Sequence, residues 1–306
     1  MTAMPGTGSA TRLDAPPCRL GEGPLWHPER GQLFWFDILA GRLHAGPRRT
    51  DPGQTDPAQT DPGAEPGHWD FPGTVSAAGW IDRDRLLLAS DTALLAFDIE
   101  TGRTEPVAPL EADNPATRSN DGRADPWGGF WIGTMGRAAE PGAGAIYRYY
   151  RGEIRRLHAP VTIPNAIAFT PDGGAASFAD TARGLVWRQR LAPADGWPAA
   201  EPEPFIDAAA DGLAPDGAVF DRAGRFWNAQ WGAGRLACYA PDGRLLGAVR
   251  LPASQTTCPA FGGPTLSRLF VTSAHEGLDR AAEPAAGALF ALETEAIGQP
   301  EHRIGL

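Results

Sequence analysis

The 306-residue sequence predicts an all-β protein, a single six-bladed β-propeller. Two observations lead to this fold class: an apolar run recurs along the whole chain, and a hairpin-type turn precedes most of the runs. The runs, each ending in a small or acidic residue, are 34–37, 87–90, 130–133, 177–180, 226–229 and 269–272. Their starts lie 43 to 53 residues apart, and a period of about 40–50 residues is typical of propeller blades. The alternative is a large β-sandwich with chance spacing.

The strands of each blade follow from the order of the local signals. A turn rich in Gly, Pro or Asp comes first, and these residues favour a hairpin before the apolar run. Such turns are 29–31, 125–128, 171–173 and 222–224. A third apolar segment then follows, for example 145–149 or 235–239. No apolar pattern of period 3.6 competes, so helices are not expected to contribute a layer.

The sequence divides into a leader, one domain and one insertion. Residues 1–17 are expected to form a disordered leader, and residues 18–306 the propeller domain. The first two repeats are the farthest apart because a Pro/Gly-rich stretch, 47–68, carries three copies of Thr-Asp-Pro. Its composition cannot bury a core, so we expect a solvated loop of the first blade.

The charged residues exclude several kinds of chemistry. All 27 cationic residues are arginine, so no lysine is available for a Schiff base, for attached pyridoxal phosphate or for a phosphate-binding P-loop. The net charge of -10 argues against nucleic-acid and anionic-membrane partners, which require a cationic surface.

The cysteines and the hydropathy indicate a cytoplasmic protein. Cys18, Cys238 and Cys258 form no CxxC pair, and their odd number leaves one unpaired in any disulfide scheme. They are interpreted as buried structural thiols in a reducing compartment. No stretch approaches the roughly 20 apolar residues of a membrane span. The expected state is a monomer or a weak homo-oligomer.

Polar residues recur at one position before the turn glycines. Three of them lie 8 residues before the glycine and one lies 9 before. The pairs are Asn120 with Gly128, Asn165 with Gly173, Asp216 with Gly224, and Glu22 with Gly31. Since the first strand of each blade lines the channel, these four side chains should face one another. The other two blades place Val75-Ser76 and Thr257-Cys258 near this position.

This convergence predicts a cation site. Carboxylates and amides that meet in a narrow channel need a compensating charge. Glu22, Asn165 and Asp216 supply only oxygen atoms, which suit a hard divalent ion. The alternative is that each residue makes a local turn or caps a strand. For Asp216-Gly217 this is less suitable, because the hairpin turn of that blade comes later, at Gly224.

Several motifs resemble those of the senescence marker protein/regucalcin/gluconolactonase family of six-bladed sugar-lactone lactonases. The similarity covers about residues 18–300 in the right order. The motifs are LGEGPLW at 20–26, RSNDG at 118–122, FWIGTM at 130–135, NA at 165–166 with PDG at 171–173, PDG at 215–217, WGAGR at 231–235 and FGGP at 261–264. The chain departs from the family in having Pro164-Asn165-Ala166 where Ser-Asn-Gly is common, and in its Thr-Asp-Pro insertion.

The resemblance implies roles for individual residues. Glu22, Asn165 and Asp216 match the family's metal ligands, and Arg118, Asn120 and Glu140 match its substrate-binding residues. The implied cofactor is one divalent ion, with Ca²⁺, Zn²⁺, Mn²⁺, Mg²⁺ and Fe²⁺ all open.

The implied activity is metal-dependent hydrolysis of an aldonolactone to its sugar acid, with glucono-, xylono- and arabinonolactone as candidate substrates. The ion is expected to polarise the lactone carbonyl, and Asp216 to position or deprotonate the water. Two alternatives stay open: a propeller hydrolase for organophosphates or aryl esters, and a non-catalytic calcium-binding propeller.

Overall fold

A computed structural model describes residues 4–47 and 67–306. Within these ranges the chain forms six four-stranded antiparallel sheets, which confirms the predicted six-bladed β-propeller. Each sheet is one blade. The first strands of consecutive blades contact each other in a closed ring that runs from blade 1 to blade 6 and back to blade 1.

The strands are numbered in chain order. Blade 1 contains β2 (Gly21–His27), β3 (Gln32–Asp37), β4 (Arg42–Ala45) and β5 (Gly67–Asp70). Blade 2 contains β6 (Val75–Asp82), β7 (Arg85–Ser90), β8 (Ala93–Asp98) and β9 (Thr104–Pro109). Blade 3 contains β10 (Thr117–Ala124), β11 (Phe130–Gly136), β12 (Gly144–Tyr150) and β13 (Glu153–Val161).

The second half of the ring follows the same order. Blade 4 contains β14 (Pro164–Phe169), β15 (Ala175–Asp180), β16 (Leu185–Arg190) and β17 (Glu203–Asp207). Blade 5 contains β18 (Ala214–Phe220), β19 (Phe226–Trp231), β20 (Arg235–Tyr239) and β21 (Leu245–Arg250). Blade 6 contains β22 (Thr256–Gly262), β23 (Arg268–Ser273), β24 (Phe290–Glu293) and β1 (Thr11–Arg12). Three short 3-10 helices occur at Ile38–Ala40, Thr181–Arg183 and Ala209–Asp211.

The six apolar runs are the second strands of the six blades, as the repeat predicted. They lie in β3, β7, β11, β15, β19 and β23, and all of their residues are buried. Their side chains pack between neighbouring blades, so removal of this apolar surface from water stabilises the ring.

The N-terminal segment differs from the disordered leader that was expected for 1–17. Thr11–Arg12 forms β1, which pairs with β24 through Thr11 opposite Ala291 and Arg12 opposite Phe290. The first strand of the chain therefore completes the last blade and closes the ring. Two residues of outer strand carry too little apolar pattern to be recognised in the sequence. Residues 1–3 lie outside the described part of the chain.

The structure describes only the ends of the predicted insertion at 47–68. Residues 48–66 of that stretch lie outside the described ranges, whereas Gly67 and His68 belong to β5. Gly67 and His68 were expected in the insertion, but they begin the fourth strand of blade 1.

Residues 296–306, the C-terminal strap, cross one end of the channel. Gln299 donates from Nε2 to the backbone oxygens of Phe169 (3.1 Å) and Phe220 (3.2 Å), at the ends of β14 and β18. Further along the strap, Ile304 N–H donates to Trp80 O at 2.8 Å. These contacts are at the ends of first strands, whereas the predicted site residues lie at or near the starts. The strap therefore closes the channel on the side opposite the predicted site.

The three cysteines are free and buried, as predicted, and burial raises the pKa of Cys18 and Cys238 to about 12. In the ranges 4–47 and 67–306, no helix has the length and apolar character needed to cross a membrane.

The strap carries a buried ion pair that can be tested. Glu301 Oε1 lies 2.6 Å from Arg123 Nη1, and the two side chains are only 9% and 13% exposed. We expect Glu301→Gln to lower the free energy of unfolding by about 3 kcal/mol, because a buried guanidinium loses its countercharge. The matched control is Glu153→Gln, which breaks an exposed pair with Arg155 and should change little. Urea unfolding measures both, and equal effects would contradict a special role for the strap.

Candidate metal and substrate site

Irregularities near the starts of the first strands place the polar residues in the channel. The pairing register shifts between Glu22 and Leu25 in β2, between Asn165 and Ala168 in β14, and between Pro215 and Ala218 in β18. A β-bulge of this kind bends the strand and redirects its side chains. Equivalent shifts occur in the other three blades, so all six first strands have a bulge at the position that was predicted from the turn glycines.

Backbone geometry at these bulges explains the small residues that follow the polar ones. Gly23 and Ala166 have φ angles of 52° and 55°. This left-handed conformation normally favours glycine, and Ala166 adopts it in spite of its methyl group. Gly217 is needed for space, because a Cβ atom there would collide with Cys258 Sγ. Asp216 and Gly217 both lie within β18, so this dipeptide is not a hairpin turn.

Asn120 and Asn165 form a buried amide pair between blades 3 and 4. Asn120 Nδ2 donates to Asn165 Oδ1 at 3.1 Å and to Pro164 O at 2.9 Å. Asn165 Nδ2 donates in turn to Thr181 Oγ1 at 2.8 Å. A carbonyl oxygen has two lone pairs, so Asn165 Oδ1 retains one for a further partner.

Glu22 and Asp216 approach each other from blades 1 and 5, and both carboxyl groups are buried close enough for their charges to interact. Burial and the nearby charge of Asp121 raise the pKa of Glu22 to about 8. Burial and, to a smaller extent, the charge of Glu22 raise the pKa of Asp216 well above its ordinary value. Two carboxyl groups in this position retain a proton unless a cation replaces it.

Asp121 is a third buried carboxyl group, which sequence reasoning did not single out. Its Oδ2 accepts Ile167 N–H at 2.8 Å, at the bulge of β14, and burial raises its pKa to about 6. The sequence signal that could have identified Asp121 is its position directly after Asn120 in a first strand. Asp121 adds negative charge near the carboxyl pair, which favours cation binding there.

Arg118 lies beside the amide pair, at the start of β10. Its Nη1 donates to Ser119 O and to Asn120 Oδ1, both at 2.9 Å. Burial lowers its pKa, while the charges of Glu276, Glu22 and Asp216 oppose that effect. The guanidinium therefore faces the acidic site while it holds Asn120 in place. Glu276, in the exposed loop after β23, is a second neighbour that sequence reasoning missed.

Glu140 is less closely connected to the site than the other predicted residues. It lies in the loop between β11 and β12, where its Oε2 accepts Ala138 N–H at 3.1 Å. The register of blade 3 pairs Arg118 with Met135, so this loop begins at the same end of the channel as Arg118. The structure thus places Glu140 at the same end of blade 3 as Arg118, without a hydrogen bond to Arg118 or Asn120.

The donor set fits a hard divalent ion. Two carboxyl groups whose charges disfavour each other, together with an amide oxygen that has a free lone pair, supply oxygen ligands only. Across the two described ranges, no group of three His, Cys, Asp or Glu side chains is arranged to hold a metal. The predicted ion site has two such residues, and its third ligand would be the amide oxygen of Asn165.

Comparison with known proteins identifies the family. Residues 20–275 match the model of the SMP-30/gluconolactonase/LRE-like region. A putative sugar lactone lactonase of Rhizobium meliloti is 40% identical over 297 residues, which are 96% of each chain. A pentonolactonase of Haloferax volcanii is 36% identical over 307 residues, covering 96% of this chain and 98% of its own. The chain therefore belongs to the SMP-30/gluconolactonase/LRE-like family.

A solved structure agrees with this assignment. The crystal structure of a calcium-binding protein, regucalcin, from Agrobacterium tumefaciens matches with a TM-score of 0.91 and 39% sequence identity, and the match covers 100% of both chains. The resemblance found in the sequence motifs is confirmed at the level of family and fold.

The carboxyl pair predicts how the stability of the metal-free protein depends on pH. The pKa of Glu22 is about 8 in the folded protein against an ordinary value of 4.5, so between these values the folded state holds a proton that the unfolded state has lost. This stabilisation is present below pH 4.5 and is lost as the pH rises through 8. From pH 5 to pH 9, chelator-treated wild type should lose about 2–4 kcal/mol of unfolding free energy relative to Glu22→Gln.

Urea unfolding of the two proteins across that pH range measures the difference directly. Parallel stability curves for wild type and Glu22→Gln would show that the carboxyl pair does not carry the extra proton.

Proposed function

We propose that this protein hydrolyses a sugar lactone to the open-chain sugar acid, using a divalent ion held by Glu22, Asn165 and Asp216. The observation that carries the proposal is the buried Glu22–Asp216 pair facing Arg118. Its relatives support the substrate class, because they include a sugar lactone lactonase and a pentonolactonase of nearly equal length. The calcium-binding structural relative supports the ion.

The chain's own residues divide the work of the reaction. Asp216 is a buried carboxylate of the site and accepts a proton from the attacking water. Arg118 donates hydrogen bonds to the sugar oxygens. Both N–H groups of Asn120 are already used, so its Oδ1 accepts a hydrogen bond from a sugar hydroxyl, and the two contacts orient the lactone ring over Asp216. When bound, the ion acts as a Lewis acid toward the lactone carbonyl.

The shape of the channel limits how the substrate approaches. The C-terminal strap closes the far end through Gln299 and Ile304, so the lactone enters from the end where Arg118 lies. At that mouth, Glu140 is the proposed further contact to a sugar hydroxyl. A pentonolactone or gluconolactone is the proposed substrate, and the pentonolactonase relative favours the five-carbon sugar.

The activity is tested with a panel of aldonolactones and aryl esters. Chelator-treated protein receives Ca²⁺, Mn²⁺, Mg²⁺, Zn²⁺ or Fe²⁺ in turn, and acid release is followed after subtraction of spontaneous hydrolysis. Turnover of a sugar lactone that depends on one or more ions is the expected result. Turnover of aryl esters or organophosphates alone would favour the alternative hydrolase, and no turnover at all would favour a non-catalytic ion-binding propeller.

Blade 5 provides a matched pair of variants for the role of Asp216. The chain has an Asp-Gly dipeptide at 216–217 in the channel and another at 242–243 in a hairpin turn. We expect Asp216→Asn to lower kcat for the preferred lactone by about 100-fold or more, because a general base and an ion ligand are both weakened. Asp242→Asn should leave kcat unchanged. An undiminished rate in Asp216→Asn would place the hydrolysis elsewhere in the molecule.

A further inference from the structure

Thr181 lies between two of the proposed ion ligands, Asn165 and Asp216, and is not itself a proposed ligand. It is the first residue of the 3-10 helix Thr181–Arg183, which follows β15 of blade 4. Its Oγ1 accepts a hydrogen bond from Asn165 Nδ2 at 2.8 Å and donates one to Pro215 O at 2.7 Å. Pro215 directly precedes Asp216. One hydroxyl group therefore connects the ligand of blade 4 with the ligand segment of blade 5.

The chemistry of these partners fixes the orientation of the Asn165 amide. Pro215 O can only accept, so the single hydroxyl proton of Thr181 points to it. The hydroxyl oxygen must then receive the NH₂ group of Asn165, which directs Oδ1 to the opposite side, toward Asn120. If the amide were reversed, two acceptors would face each other at Thr181. The hydroxyl thus selects the rotamer in which Asn165 presents oxygen to the proposed ion.

The 3-10 turn itself does not require a hydroxyl at this position. The equivalent turn of blade 1, Ile38–Ala40, is also capped by an aspartate, since Asp37 accepts Ala40 N–H there and Asp180 accepts Ala182 N–H in blade 4. The backbone pairing is also the same, since Ile38 N–H donates to Leu20 O and Thr181 N–H donates to Ile163 O, both at 3.0 Å. Ile38 forms this turn without any side-chain hydrogen bond. The carboxylate makes the turn, and the hydroxyl of Thr181 remains available for Asn165.

We infer that Thr181 is a positioning residue that holds Asn165 and the Pro215–Asp216 segment in the arrangement that binds the divalent ion. This inference rests on the proposed ion site. Through the hydroxyl, the hydrogen-bonded series Asn120, Asn165, Thr181 and Pro215 spans blades 3, 4 and 5. Groups of this kind, which hold the ligands without touching the ion, typically change metal affinity by about 10–100-fold when they are removed.

The test measures ion affinity directly, by calorimetric titration of Ca²⁺ and of Mn²⁺ into chelator-treated protein. Thr181→Val keeps the shape and removes the hydroxyl, and we expect it to weaken binding by about tenfold or more. Thr181→Ser keeps the hydroxyl and should bind within about twofold of wild type, since the hydrogen bonds can be retained. Thr170→Val, which removes a hydroxyl beyond the other end of β14, is the control and should bind like wild type.

Each outcome decides the inference. Wild-type affinity in Thr181→Val, or a Thr181→Ser variant as weak as Thr181→Val, overturns the role of the hydroxyl and leaves the proposed ion site intact. A wild-type protein that binds neither ion overturns the ion site, and the inference with it. Thermal unfolding of the chelated variants verifies that they fold, and Thr181→Ala makes the same test if the valine variant does not.

Discussion

The close approach of two buried carboxyl groups, Glu22 and Asp216, is the constraint on which the site depends. Water does not solvate them, and burial together with the neighbouring carboxyl charges raises both pKa values. A fold that places them together must offset this cost by a shared proton or by a cation. The guanidinium of Arg118 offsets part of the charge from the mouth side. The propeller suits such a site because strands from separate blades converge on one axis.

Neutral hydrogen bonds hold the other residues of the site in their relative positions. The amides of Asn120 and Asn165 connect blades 3 and 4, and Thr181 continues the connection to blade 5. At the far end, the strap seals the channel through backbone contacts and the Arg123–Glu301 pair. The amide and hydroxyl contacts thus lie at the starts of the first strands, and the strap contacts lie at their ends.

Local sequence signals predicted much of this arrangement. The parts that depend on contacts between residues far apart in the sequence were not predicted. The hairpin turns fix the distance from turn glycine to strand start, so counting backward along the sequence found Glu22, Asn120, Asn165 and Asp216. The two-residue strand Thr11–Arg12 and the strap were not predicted, because their partners lie far away along the chain. Glu276 was not predicted because it lies in a loop, where secondary-structure propensity carries little information.

The central claim is that the proposed divalent ion displaces a proton that the Glu22–Asp216 pair holds in the metal-free protein. Calorimetric titration of Ca²⁺ or Mn²⁺ into chelated protein at pH 7, repeated in buffers of different ionisation enthalpy, measures both the number of ions and the number of protons released. The account predicts one ion per chain and the release of about one proton, a release that Glu22→Gln greatly reduces. Absence of saturable binding, or binding without proton release, would contradict it.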